Sequence, residues 1–169
     1  MQGQFVDSYD PTIENTFNKT IKVKNQEFEL FVVDTAGQDE YSIFPTQYAV
    51  DIHGYVLVYS IDSMKSFEVV QVLYDKIVDL VGNPKVPVVL VGNKKDLEVN
   101  KDNSGIVDRG ELFPQTEREV TRAEGEKYAK DIKAVFLETS AKDNFCVTDM
   151  FQVRAIFYSI QTFMTFFFS

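Results

Sequence analysis

The sequence predicts an α/β fold in which a mostly parallel sheet carries helices on both faces. Three observations predict it. Residues 54–59 and 86–91 are nearly continuous apolar runs, the pattern of parallel strands buried on both sides. Between them, residues 63–80 place Phe67, Val70, Leu73, Tyr74, Ile77 and Leu80 at three- and four-residue spacing, which is one apolar face of a helix. Strand-like and helix-like segments then alternate along the rest of the chain, and alternation of that kind implies crossover connections and a parallel order.

Each element follows from local pattern. Residues 16–23 alternate, with Phe17, Ile21 and Val23 on one side, and read as a half-exposed strand. A turn at Lys24-Asn25-Gln26 leads into a second apolar run at 28–33, so the pair forms a hairpin. After the strand at 54–59 and the helix at 63–80 comes the strand at 86–91. Thr121, with Glu124 three residues on, has the capping-box pattern and starts a helix through Ala129. A short strand at 134–137 and a last helix from about Thr148 complete the series. No internal repeat occurs.

Composition sets the broad class. The chain has 169 residues, of which 44% are hydrophobic, and 26 acidic against 17 basic residues give a formal charge of −9. That is enough for one globular core. The acidic balance argues against nucleic acid as a partner, because phosphate contacts need clustered Lys and Arg. A single cysteine, Cys146, excludes a disulfide framework, and a single histidine, His53, excludes a metal site of several imidazoles. His53 is expected in a loop, and Cys146 as a small buried side chain at the start of the last helix. With 15 Phe and 8 Tyr the chain is too aromatic for a disordered tail. A soluble, cytoplasmic protein is expected. No signal or transit peptide is expected from the first residues. The apolar run at 153–169 is short for a membrane span, which takes about 20 residues.

Open parallel sheets bind ligands in the loops at the carboxyl ends of their strands. Three such loops carry chemistry. After residue 33 comes Asp34-Thr35-Ala36-Gly37-Gln38, in which a carboxylate can reach a metal ion and a glycine lets a backbone N–H approach a phosphate. After 91 comes Gly92-Asn93-Lys94-Lys95-Asp96, where Asp96 can accept two N–H bonds from the Watson–Crick edge of guanine. Asn93 can bond the opposite edge of the base, and the Lys94 stem can cover its plane. After 137 comes Glu138-Thr139-Ser140-Ala141-Lys142, where the Ala141 N–H can donate to the guanine carbonyl oxygen and Lys142 overlies the same loop. Taken singly, each is weak: D-x-x-G also occurs as an acidic turn, N-K-x-D as a polar loop before a helix, and S-A-K is common.

Their order is far more specific. D-x-x-G, N-K-x-D and S-A-K, each after a strand, resemble the guanine-nucleotide-binding domain of Ras-like small GTPases, a P-loop-NTPase-like fold. Residues 9–17, YDPTIENTF, resemble that family's switch I loop, and DTAGQDEYSIFP at 34–45 is most similar to its Rheb-like branch. The resemblance implies GTP or GDP as ligand, Mg2+ as cofactor and slow hydrolysis of GTP. It implies that Thr12 and Asp34 bind the metal, that Gln38 orients the attacking water and that Tyr9 covers the phosphates. Phe5 would pack on the guanine, and Gly37, Asn93, Lys94, Asp96, Ser140, Ala141 and Lys142 would contact nucleotide. The implied partners are the TOR kinase complex and a GTPase-activating protein, met by residues 9–17 and by switch II at 37–45.

Three features depart from the family pattern. None of the eight glycines is followed by lysine, so G-x-x-x-x-G-K-S/T does not occur in these residues. The fold is therefore expected to lack its first strand and P-loop, as if truncated at the N-terminus, and to bind nucleotide weakly. In the family that strand lies inside the sheet, so the strands at 28–33 and 55–59 are expected to lose their shared neighbour and expose unpaired backbone. Second, residues 99–115 exceed the family spacing between Asn93 and Ser140. Third, the resemblance ends near residue 152, before a Phe-rich tail at 153–169 that carries no C-a-a-X box, so no lipid anchor is expected. The partial GTPase domain is thus expected at 1–152. Both added segments can be encoded with splice-junction signals, which makes translated intron an alternative to a surface loop and a true tail. Two further readings stand beside a GTPase switch: an effector-binding fragment that works without nucleotide, or an incomplete gene model.

Overall fold

The computed structural model describes residues 14–23, 26–35, 52–82, 86–98, 118–150 and 162–168. They form the expected α/β architecture. Strands β1 (Glu14–Val23), β2 (Gln26–Thr35), β3 (Gly54–Ser60), β4 (Val88–Asn93), β5 (Val135–Glu138) and β6 (Thr162–Phe168) make one sheet in the order β1-β2-β6-β3-β4-β5. Helices α1 (Met64–Val81) and α2 (Arg122–Asp131) lie between strands in the chain. Among the described strands only the β1–β2 pair is antiparallel, and its register from Val23↔Gln26 to Glu14↔Thr35 is that of the predicted hairpin.

Period-two alternation divides the core. Tyr55, Leu57 and Tyr59 of β3 and Val88 and Leu90 of β4 pack on one face against Phe67, Val70, Leu73 and Ile77 of α1 and Ala129 of α2. On the other face, Val56, Val58, Val89 and Val91 join Leu30 and Val32 of β2, and Met150 covers them from the helical residues 147–150. Both faces of β3 and β4 are buried, which is why their sequences are apolar without a break.

Capping residues set the helix limits. The Ser63 hydroxyl accepts from the Ser66 N–H at 3.2 Å to start α1. Gly82 ends it in the left-handed region, φ 66°, with its N–H on the Val78 carbonyl. The capping box of α2 forms as predicted: Thr121 accepts from the Glu124 N–H, and the Glu124 carboxylate accepts from the Thr121 N–H. The Thr121 hydroxyl, donating to the Glu124 carboxylate at 2.6 Å, and then the Thr121 N–H stabilise the ionised carboxyl and lower the Glu124 pKa. The predicted face of α1 is right except at its end, where Leu80 is exposed and Val81 packs toward the core.

Two expectations change. β2 and β3 share a neighbour after all, because β6 runs parallel to both, so their backbone groups are not left open. Inclusion in a sheet interior asks only for an extended backbone in register, which the family motifs do not encode. Cys146 does stand at the start of the last helical residues, but half-buried and in the left-handed region at φ 53°. Partial burial comes first, and then Asp149, in raising its thiol pKa. His53 precedes β3 outside regular structure, as expected. Among the described residues no helix is long and apolar enough to cross a membrane.

Candidate functional site

Strands β2, β6, β3, β4 and β5 are all parallel, so the carboxyl ends of β2, β4 and β5 lie at one edge. Asp34, Asn93 and Ser140 therefore face the same side of the sheet, the edge where such folds take ligands.

Two loops there are laced together. Lys94 takes a left-handed conformation at φ 68°, which turns the chain from β4 into a single 3-10 turn, Lys95–Leu97. The Lys95 N–H donates to the Thr139 carbonyl at 3.0 Å, and the Thr139 N–H donates to the Gly92 carbonyl at 2.9 Å. Side chains complete the lacing. Asn93 Oδ1 accepts from the Thr139 hydroxyl and from the Ala141 N–H, both at 3.1 Å. Asp96 Oδ1 accepts from the Ser140 hydroxyl at 2.6 Å, and Ser140 Oγ accepts from the Asp143 N–H at 3.0 Å.

This geometry orients the ligand-directed atoms. With Oδ1 of Asn93 occupied by two donors, its amide nitrogen is turned to the other side as a donor. The Asp96 carboxylate has more acceptor sites than the Ser140 bond uses. The Ala141 N–H, expected to meet a guanine carbonyl, rests on Asn93 here, so a base would have to share or exchange that bond.

The lysines divide their roles. Lys94 Nζ reaches Asp62 Oδ2 at 3.2 Å, which draws its stem across the end of β4. Burial opposes ionisation of Asp62, yet the Ser60 hydroxyl and Lys94 outweigh it and its pKa is lowered. Lys95 Nζ lies 5.5 Å from the centre of the Phe145 ring and 3.5 Å from Glu138 Oε2. Lys142 is exposed beside Ala141.

Behind these loops is a charge cluster that sequence reasoning missed. Glu138, buried at the end of β5, takes Arg118 Nη1 at 2.6 Å and Arg122 Nη1 at 3.5 Å, besides Lys95. Burial alone would raise its pKa, but the Arg118 hydrogen bond and the surrounding cations lower it. Arg118 Nη2 also holds Glu98 Oε2 at 3.3 Å, so the residues flanking 99–117 are joined. The Glu119 and Val120 N–H groups both donate to the Ile61 carbonyl, fixing the rejoining chain to the end of β3. No spacing rule points to Arg118 or Glu138, since the pairing is tertiary.

Asp34 is half-buried at the end of β2. Among the described residues no cluster of three or more His, Cys, Asp or Glu could hold a metal by itself. The one described candidate, the Asp34 carboxylate, would suit magnesium, which is usually held by one or two carboxylates with phosphate and water as its other ligands. Phe5, Tyr9, Thr12, Gly37 and Gln38, like the segments 99–115 and 153–161, lie outside the described residues.

A parallel sheet with Asp34, the N-K-x-D loop and the S-A-K loop on one edge defines a class, and comparison with known proteins agrees. The sequence profile of the Ras family matches residues 1–159, and the chain belongs to that family of small GTPases. Within it the chain is Rheb-like. It is 56% identical over 151 residues to the GTP-binding protein Rheb homolog of Drosophila melanogaster, covering 89% of this chain and 74% of that one. It is 51% identical to human GTP-binding protein Rheb over 152 residues, 90% of this chain and 73% of the relative. GTP-binding protein rhb1 of Schizosaccharomyces pombe is 45% identical over 153 residues, 90% and 74% of the two chains.

Proposed function

We propose that the protein is a guanine-nucleotide switch that selects the base through the loops after β4 and β5. The observation that supports this reading is the lacing of Asn93 to Thr139 and Ala141 and of Asp96 to Ser140, which aligns both polar side chains before any ligand arrives. Asp96 accepts the N1–H and the 2-amino group of guanine; adenine offers no such donor pair at that edge. Asn93 donates to the opposite edge, and the Lys94 and Lys142 stems shield the ring, Phe5 packing from the other side. Asp34 and Thr12 would hold magnesium, which supplies neutralisation of phosphate charge. Gly37 gives its N–H to the terminal phosphate, Tyr9 covers the phosphates and Gln38 orients water for GTP hydrolysis. Residues 9–17 and 37–45 then present the nucleotide state to a TOR kinase complex and a GTPase-activating protein in the cytoplasm.

Nothing in the 169 residues supplies G-K-S/T, so base contacts dominate and affinity is weaker than about 1 μM. Amide shift perturbation tests the reading. GDP with magnesium should move the signals of Asn93, Lys94, Asp96, Ser140, Ala141 and Lys142, while ADP leaves them in place. Equal shifts with both nucleotides, or none at millimolar GDP, would end it.

A further inference from the structure

We propose that Asp62 is a positioning residue of the nucleotide site: its carboxylate sets the Lys94 stem in place as one wall of the guanine pocket before the base arrives. The proposal deepens the guanine-switch reading above and rests on it.

The β3–β4 ladder brings the two residues together. Its last pair is Ser60↔Asn93, and one step beyond it the Ile61 N–H donates to the Asn93 carbonyl at 3.0 Å. Asp62 and Lys94 follow directly. Lys94 Nζ donates to both carboxylate oxygens, at 3.3 Å to Oδ1 and 3.2 Å to Oδ2. The carboxylate is itself fixed. The Ser60 hydroxyl donates to Asp62 Oδ1, and the buried Ser60 is anchored by its N–H on Ser66 Oγ at 2.9 Å, inside the first turn of α1. The Asp62 side chain is 18% exposed against 50% for Lys94. A largely buried, hydrogen-bonded carboxylate therefore holds a long, exposed lysine, not the reverse.

Lys94 needs such a hold. A free lysine stem is flexible and loses rotamer freedom when a base packs on it. At φ 68° Lys94 also occupies the left-handed region, which a residue with a Cβ adopts at a cost. The Thr139 carbonyl fixes the backbone just beyond it through the Lys95 N–H, and Asp62 fixes the far end of its side chain. Ordering the stem in advance removes part of the cost of binding. The pair also sets charge: with its ammonium engaged by Asp62, Lys94 meets the ligand through its methylenes rather than as a phosphate-seeking cation.

Titration of the full chain with GDP and magnesium tests this, because charge and position predict opposite signs. Removing a carboxylate near a bound polyanion would by itself tighten GDP. Asp62→Asn, which keeps an oxygen for the Ser60 hydroxyl, should instead weaken GDP by about threefold or more. In a Lys94→Met background the same substitution should no longer weaken it. A nuclear Overhauser contact between the Lys94 side chain and guanine H8 should be present in the GDP-bound parent and lost in Asp62→Asn; the measurement on the parent stands even where the variant fails to fold. Unchanged or tighter GDP binding by Asp62→Asn, an equal loss in both backgrounds, or no Lys94 contact with guanine in a parent that binds GDP would each overturn the proposal and leave the guanine reading standing. A parent that binds no GDP would end both.

Discussion

Ser140 Oγ donates to Asp96 Oδ1 at 2.6 Å, joining the loop after β5 to the loop after β4 across 44 residues of chain. The bond holds the carboxylate in position while leaving it acceptor capacity. Ser140→Ala should therefore lower guanine selectivity and cost about 1 kcal/mol of stability. Thermal unfolding together with the GDP titration checks both; unchanged selectivity would show that Asp96 is positioned by other means.

Tyr59 is buried, and its hydroxyl has no hydrogen-bond partner among the described residues. Burial, and then Glu138, raise its pKa far above the ordinary 10. Tyr59→Phe removes a desolvated polar group and keeps the ring, which packs 4.8 Å from Phe67. The variant should equal or exceed the parent in stability, by up to about 1 kcal/mol in denaturant melts.

Gly125 sits in α2, where alanine is normally favoured by about 1 kcal/mol. Here a Cβ would fall 2.6 Å from the Tyr59 hydroxyl and 2.7 Å from the Phe136 ring. Gly125→Ala should destabilise by about 1–3 kcal/mol, and Tyr59→Phe should recover part of the loss. A double-mutant cycle reads that coupling directly.

Acid should weaken the fold through Glu138. Its folded pKa lies below the ordinary 4.5, so its contribution is complete above that value and is lost as pH falls through the lowered one. Stability curves below pH 4.5 should show this limb. Arg118→Met removes the 2.6 Å bond, should cost about 2 kcal/mol at neutral pH and should flatten the acid dependence.

The Arg118–Glu98 ion pair brings together the ends of residues 99–117. Deleting 99–115 should therefore leave the sheet intact and change stability by no more than about 1 kcal/mol, because loop closure depends weakly on length. Circular dichroism and melting of the deletion variant measure this.

Most elements were legible because their signals are local. Alternation marked β1, apolar runs marked β2 to β4 and a short one β5, three- and four-residue spacing marked α1, and the Thr121/Glu124 pair fixed the start of α2. The positions of the loops after β4 and β5 were legible because their motifs combine residue type with a place after a strand. β6 was not, since a Phe-rich run without alternation carries no register and the slot it fills is defined by two distant strands. The Glu138 cluster was equally hidden: it depends on Arg118 and Arg122 returning beside β5 after residues 99–117. Leu80 failed because spacing continues a helical face beyond the sheet that covers it.

The central claim is that Asp96 reads the guanine edge. Calorimetric titration of the full chain and of Asp96→Asn with GDP and with xanthosine diphosphate, whose 2-oxo group replaces the 2-amino group, measures it most directly. The parent should prefer GDP by about tenfold or more, and the variant, which offers an amide donor there, should reverse the preference. Equal binding of both nucleotides by parent and variant would contradict the account.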